Sequence, residues 1–217
     1  MRKYEAVIFD LDGTLMDTSI GVIKSVEYVI TQLGLPPLSM EEMRSFIGPP
    51  IQVSFRTKYD LDDNTTAQAA SFFRNAYKDL FLFDAEVYPG IFPLLEALQT
   101  SGIRTAVATY KREDYTLKLL HQFGLCQLFD FIKGSDFEGK LTKTDIVKEC
   151  VRRIGTGNLS QAVLIGDTFH DANGAKECNI DFLGVTFGFG FKNEREALDA
   201  GATSVARSVE ELRDLCI

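Results

Sequence analysis

Near its start the chain carries Val7-Ile8-Phe9-Asp10-Leu11-Asp12-Gly13-Thr14-Leu15, an apolar run that stops abruptly at two carboxylates. The run has the length and composition of a short buried strand, and residues two apart on an extended chain point the same way. Asp10 and Asp12 therefore face a common point just beyond the strand. Two like charges held together out of water are costly, so the arrangement asks for a cation or a shared proton. Gly13 permits a tight turn and the Thr14 hydroxyl is placed to satisfy backbone donors there. A hard cation held by oxygen ligands, with a carboxylate left for chemistry, is the direct reading. A calcium-binding EF-hand loop would continue with oxygen ligands at alternate positions and close on a glutamate. Here Leu15 and Met16 follow, and residue 21 is glycine. A plain turn is the remaining alternative.

Further apolar runs predict strands at Thr105–Ala108, Asp130–Lys133, Ala162–Ile165, Phe182–Thr186 and Thr203–Val205. Helical spacing separates most of them: Pro89–Ser101, Lys111–Phe123 closed by Gly124, Thr144–Ile154 and Asp171–Cys178. Asn193 with Glu196 and Ser208 with Glu211 read as capping boxes that open two last helices. Strands alternating with helices imply an α/β fold, a doubly wound parallel sheet covered on both faces. The segment between Met16 and Asp84 breaks the alternation and reads as helical throughout: Ile20–Leu33 stopped by Gly34, a helix opened by Ser39 and Glu42, then Gln52–Tyr59 and Thr65–Phe83. The expected organisation is a core of residues 1–15 and 85–217 with a small all-helical lobe, 16–84, inserted after the first strand. Hinges fall near Thr14–Thr18 and Phe83–Pro89.

A net charge of −8 argues against a general nucleic-acid binder, which needs basic surface. It permits an anionic substrate, because a metal and one lysine reverse the field locally. Four cysteines, 126, 150, 178 and 216, form no C-x-x-C pair, which disfavours a zinc ribbon or a thioredoxin-type site and suits a reducing cytoplasm. The opening Met1-Arg2-Lys3-Tyr4-Glu5 leads to an apolar run too short for a signal peptide, and no stretch has transmembrane length. No membrane partner is expected.

Three later segments place functional groups at strand ends, where ligands gather in a doubly wound sheet. Thr109 ends a strand and can hold an oxyanion with nearby N–H groups, or serve only as a turn residue. Lys143 stands at the entrance of a helix, where a cation is disfavoured unless it faces an anion; Lys140 is its rival. Val163-Leu164-Ile165-Gly166-Asp167 repeats the opening logic, with Asp171 four residues on. Asp167 can reach a metal, and Asp171 can bind a metal-bound water or orient Lys143. His170 lies within the turn and His121 within a helix, so both read as structural. Gly188-Phe189-Gly190 fails as a dinucleotide fingerprint, since the third glycine position holds Asn193.

Together these segments resemble the haloacid dehalogenase superfamily, specifically its phosphatases with a helical cap, and most nearly the phosphoglycolate phosphatases. The resemblance runs over nearly the whole chain and rests on Asp10-Leu11-Asp12-Gly13-Thr14-Leu15-Met16-Asp17 and on Gly166-Asp167 through Asp171. Many members have proline after the motif lysine; here Thr144 follows Lys143. The resemblance implies a magnesium-dependent phosphomonoester hydrolase working through an aspartyl-phosphate. Asp10 would be the nucleophile and Asp12 the acid and base, with Thr109, Tyr110 and Lys143 on the phosphoryl group. Asp10, Asp12 (through its carbonyl), Asp167 and Asp171 would serve the metal. Asp12 favours phosphate chemistry over dehalogenation. The lobe would close over the site and select a small phosphorylated metabolite; Arg44, Arg56 and Lys58 could meet a substrate carboxylate or only solvate its surface. A phosphomutase of the β-phosphoglucomutase type, a nucleotidase or pyrophosphatase, and a metabolite-sensing binding protein are the alternatives. Monomer and homodimer both remain open.

Overall fold

In the computed structural model, which describes residues 3–155 and 158–217, Ala6–Phe9 forms strand β1 and is buried throughout. The chain divides into two compact units, Met1–Asp17 with Val87–Ile217, and Thr18–Glu86.

In the first unit the elements after β1 are β2 (Met16–Asp17), β3 (Glu86–Val87, which begins one residue earlier), α5 (Ile91–Thr100), β4 (Arg104–Arg112), α6 (Glu113–Gln122), β5 (Phe131–Ser135), α7 (Lys143–Ile154), β6 (Ala162–Gly166), α8 (Phe169–Glu177), β7 (Asp181–Val185), α9 (Glu194–Asp199), β8 (Ser204–Ala206) and α10 (Val209–Cys216). Six strands form one sheet in the order β5-β4-β1-β6-β7-β8, with parallel pairing. This is the expected doubly wound sheet. Strand order reverses at β1, so its carboxyl end lies at the crevice where such sheets bind ligands. Ala6 and Ile8 pack in one layer with Ile146, Val147 and Cys150 of α7 and Ala172 and Ala175 of α8. Val7 and Phe9 are equally buried and, by strand alternation, serve the opposite face.

The second unit holds α1 (Ser19–Leu33), α2 (Met40–Arg44), α3 (Ile51–Tyr59), α4 (Asp63–Ala76) and a π-helical turn, Tyr77–Phe81. Gly34 closes α1 in the left-handed conformation, and Ser39 with Glu42 forms a complete capping box on α2. Phe46 and Phe55 meet edge to face with centroids 4.9 Å apart.

The structure differs from the sequence reading in three regions. Met16–Asp17 and Glu86–Val87 are strands that pair with each other in a separate two-stranded sheet; two residues are too few to show an alternation. The expected helix Thr65–Phe83 ends its α-helical course at Ala76 and runs on as the π-turn. Lys111 and Arg112 belong to β4, and α6 begins only at Glu113. Among the described residues no helix is long and apolar enough to cross a membrane.

Gly21 in α1 donates its N–H to the Asp84 carbonyl at 3.0 Å, and a Cβ there would lie 2.3 Å from the Phe81 carbonyl oxygen. Glycine to alanine inside a helix ordinarily gains about 0.5–1 kcal/mol. At this position the close approach reverses the sign. Gly21→Ala is expected to cost roughly 1–3 kcal/mol, as overpacking does, lowering the urea midpoint of the whole protein. A raised midpoint would contradict this packing.

Candidate active site

The site grows from the carboxyl ends of β1, β4 and β6. Asp10 follows β1 directly, its N–H donating to the Ile165 carbonyl at 2.9 Å. Gly13 then takes a φ of 79°, and the Leu11 carbonyl accepts from the N–H groups of Thr14, Leu15 and Met16. The loop therefore closes on backbone alone. The Thr14 hydroxyl, expected to satisfy backbone donors, is buried without a hydrogen-bond partner among the described residues.

Lys143 is the first residue of α7, behind a capping box of Thr142 and Asp145. Its ammonium is 2.7 Å from Asp10 Oδ1 and 2.6 Å from Asp171 Oδ1, and the side chain is only 4% exposed. Two carboxylates thus offset the cost of a cation at a helix N-terminus. Lys140, the rival, is exposed and paired with Glu138. Thr144 uses its hydroxyl to reach Glu177 Oε2 at 2.8 Å, tying the first turn of α7 to the end of α8.

Asp171 caps α8: its Oδ2 accepts from the Thr168 hydroxyl at 2.6 Å and from the Thr168 N–H at 3.1 Å, while Oδ1 faces Lys143. Asp167 is held from a direction the sequence did not reveal. Its Oδ2 accepts from the N–H groups of Phe189 and Gly190 at 2.7 and 3.1 Å. A Cβ on Gly188 would fall 2.3 Å from the Gly13 carbonyl oxygen and 2.5 Å from Asp167 Oδ2, so only glycine lets this loop pass. The Gly-Phe-Gly segment that failed as a nucleotide fingerprint is a cradle for a carboxylate.

Thr109 is buried, and its hydroxyl accepts from the Lys111 N–H at 3.1 Å. The Tyr110 ring lies under the Lys143 ammonium at 5.9 Å and meets His170 edge to face at 5.3 Å. Asp12 pairs with Lys111 at 3.0 Å, a partner hidden by assigning Lys111 to a helix. Its position two residues beyond Thr109 was the available signal. In the helical unit, Arg56 and Lys58 pair with Asp63 and Glu42 in ion pairs that are exposed or nearly so.

Asp10, Asp167 and Asp171 thus come together: one oxygen from each lies within 4.8 Å of the others. Burial pushes the Asp167 carboxyl up to about 8, with the charges of Asp171 and Asp10 adding to it. Burial likewise pushes Asp10 up to about 7 against the pull of Lys143. Burial pulls the Lys143 ammonium the other way, but Asp10 and Asp171 outweigh it and hold its pKa above the ordinary value.

Residues 7–185 match the model of the haloacid dehalogenase-like hydrolases. The chain belongs to that family. It is 31% identical over 196 residues to a 5'-nucleotidase of Pseudomonas aeruginosa, covering 90% of this chain and 88% of that one. It is 29% identical over 216 residues to a phosphoglycolate phosphatase of Pseudomonas putida, covering 96% and 77%. The crystal structure of a predicted phosphatase from Clostridium acetobutylicum superposes with a TM-score of 0.90 at 36% identity, over 98% and 97% of the two chains. This haloacid dehalogenase-like hydrolase is therefore an enzyme, and its relatives carry different names, among them a tyrosine-protein kinase PtkA of Mycobacterium tuberculosis that is 31% identical over 217 residues, covering 97% of this chain and 72% of that one.

A divalent cation fits the residues present. With all three ionised, the buried carboxylates would exceed the one buried ammonium by two negative charges, which a divalent cation would offset. Asp167 Oδ1 is buried with no hydrogen-bond partner among the described residues, so a lone pair remains to be satisfied.

The raised carboxyls make a linkage prediction. Unfolded aspartates titrate near 3.9. The metal-free folded protein holds protons on Asp167 and Asp10 that the unfolded chain has already lost, so its stability falls as pH rises from about 4 to about 8. In chelator, the melting temperature should drop across that window, and Asp167→Asn should flatten the slope. Added magnesium should raise the melting temperature more at the alkaline end. A chelated protein whose stability climbs through the window would contradict the assignment.

Proposed function

We propose that this hydrolase cleaves small phosphomonoesters through a phosphorylated Asp10, with magnesium as its metal. The observation that supports the reading best is the Asp10 carboxylate held at a strand end by a buried lysine, beside two further buried carboxylates. Asp10 attacks phosphorus, the phosphorus–oxygen ester bond breaks, and the leaving alcohol takes a proton from Asp12. Water then attacks the phosphorus of the aspartyl-phosphate and gives its proton to Asp12. The Asp10–phosphorus bond breaks, inorganic phosphate leaves and Asp10 is restored.

Lys143 carries positive charge to the phosphoryl oxygens and holds Asp10 in place, and Asp171 orients Lys143. Thr109 offers a hydroxyl to the same oxygens, and Tyr110 walls the ammonium side. Asp10, Asp167 and the Asp12 carbonyl would hold magnesium, with Asp171 serving its outer sphere. Bound there, the ion supplies charge that offsets repulsion between a carboxylate nucleophile and a phosphate dianion. Substrate choice is assigned to the helical segment, residues 16–84.

Relatives named for phosphoglycolate and for 5'-nucleotides support two substrate classes, a short phosphorylated carboxylate and a nucleoside monophosphate. Phosphate release with magnesium should be measured on an aryl phosphate, phosphoglycolate, nucleoside monophosphates, hexose phosphates and pyrophosphate. Aryl phosphate should be hydrolysed, chelator should stop it, and Asp10→Asn should lower kcat by roughly a thousandfold or more. Lys143→Met should cost on the order of a hundredfold or more. Turnover in excess chelator, an unimpaired Asp10→Asn protein, or isomerised sugar phosphate without free phosphate would overturn the reading.

A further inference from the structure

Asp12 lies two residues from Asp10, yet its carboxylate is not among the three that draw together as a metal-fitting group. Its Oδ1 sits instead 3.0 Å from the Lys111 ammonium, with side chains 13% and 8% exposed. A lysine so withdrawn from water is costly unless a carboxylate meets it. The two aspartates of the opening motif thus have an ammonium each: Lys143 from the start of α7 for Asp10, and Lys111 from the end of β4 for Asp12.

The backbone of Lys111 is fixed in three ways. Its N–H donates to the Thr109 hydroxyl at 3.1 Å. Its carbonyl accepts from the Thr116 hydroxyl at 3.4 Å, a donor that also reaches the Arg112 carbonyl at 3.1 Å. The register of β4 against β5 shifts between Ala108 and Arg112. Such irregularities re-aim side chains at the edge of a site. Here the result is a lysine directed at the second aspartate.

We propose that Lys111 is a positioning residue. Its ammonium holds Asp12 by Oδ1 at the place of the leaving oxygen and keeps that carboxylate out of the metal-fitting group. This rests on the phosphatase reading above. With Oδ1 at the ammonium, the proton passes at Oδ2: the phosphorus–oxygen bond breaks, the departing oxygen takes the Oδ2 proton, and Oδ2 recovers one from the attacking water. Lys111 itself exchanges no proton.

An assisted departure matters most for a poor leaving group. Lys111→Met should therefore be compared with wild type on 4-nitrophenyl phosphate, phenyl phosphate and glycerol phosphate. The loss in kcat should grow along that series, and the loss on the alkyl ester should exceed that on the nitrophenyl ester by on the order of a hundredfold. Lys111→Arg should recover most of it. An equal loss on all three esters would reduce Lys111 to a structural lysine, and a change confined to KM would make it a substrate-binding one; each overturns the proposal. Crystal structures of wild type and of Lys111→Met, with Lys111→Gln should the former not fold, read the same claim without turnover. The Asp12 carboxylate should leave its place in the variant, and finding it unmoved would overturn the proposal. Wild type inactive on every ester would sink the phosphatase reading, while the crystal comparison would still decide the role of Lys111.

Discussion

Asp10, Asp167 and Asp171 are buried within reach of one another, and the Lys143 ammonium is buried with them. Charges do not gather out of water without strong compensation. One ammonium neutralises only part of the cluster, and the rest is left to raised carboxyl pKa values or to a divalent cation. That imbalance is a constraint on the fold as much as on the chemistry. It concentrates cost at the carboxyl ends of the central strands, and the surrounding core must offset it with apolar burial. β1 and β6, the two strands that deliver Asp10 and Asp167, are buried along their whole length.

Each charged group is also fixed by something other than its charge partner. The N–H groups of Phe189 and Gly190 hold Asp167, and the Thr168 capping box holds Asp171. Lys143 is anchored by a helix whose first turn is tied to α8 through Thr144 and Glu177. Groups placed this way need little rearrangement when charge develops during a reaction, which is where preorganised sites gain most of their rate. Lys111 extends the same logic to Asp12.

What could be read from the sequence was whatever a short local pattern encodes. The i, i+2 spacing of Asp10 and Asp12 after an apolar run, and the repeat of that logic at Gly166-Asp167, announced both the strands and the clustering of Asp10 with Asp167. The order of strands and helices announced the parallel sheet. What could not be read depended on long-range register. Lys111 looked like the start of a helix because it leads directly into the helical spacing of residues 115, 119, 120 and 123, and the irregular pairing of β4 with β5 makes it a strand residue aimed at Asp12. The loop at Gly188–Gly190 is twenty residues or so beyond Asp167, and nothing local says that its N–H groups return to that carboxylate. The strands Met16–Asp17 and Glu86–Val87 are defined by each other across some seventy residues, beyond the reach of any local pattern.

In the proposed mechanism Asp10 accepts the phosphoryl group while a divalent ion is shared with Asp167. A crystal structure of the protein grown with magnesium and beryllium fluoride would decide it. The expected result is a tetrahedral fluoride adduct on the Asp10 carboxylate, with Lys143 against its fluorines and one magnesium ion between Asp10 and Asp167. An adduct on another residue, or an Asp10 carboxylate that shares no ion with Asp167, would contradict it.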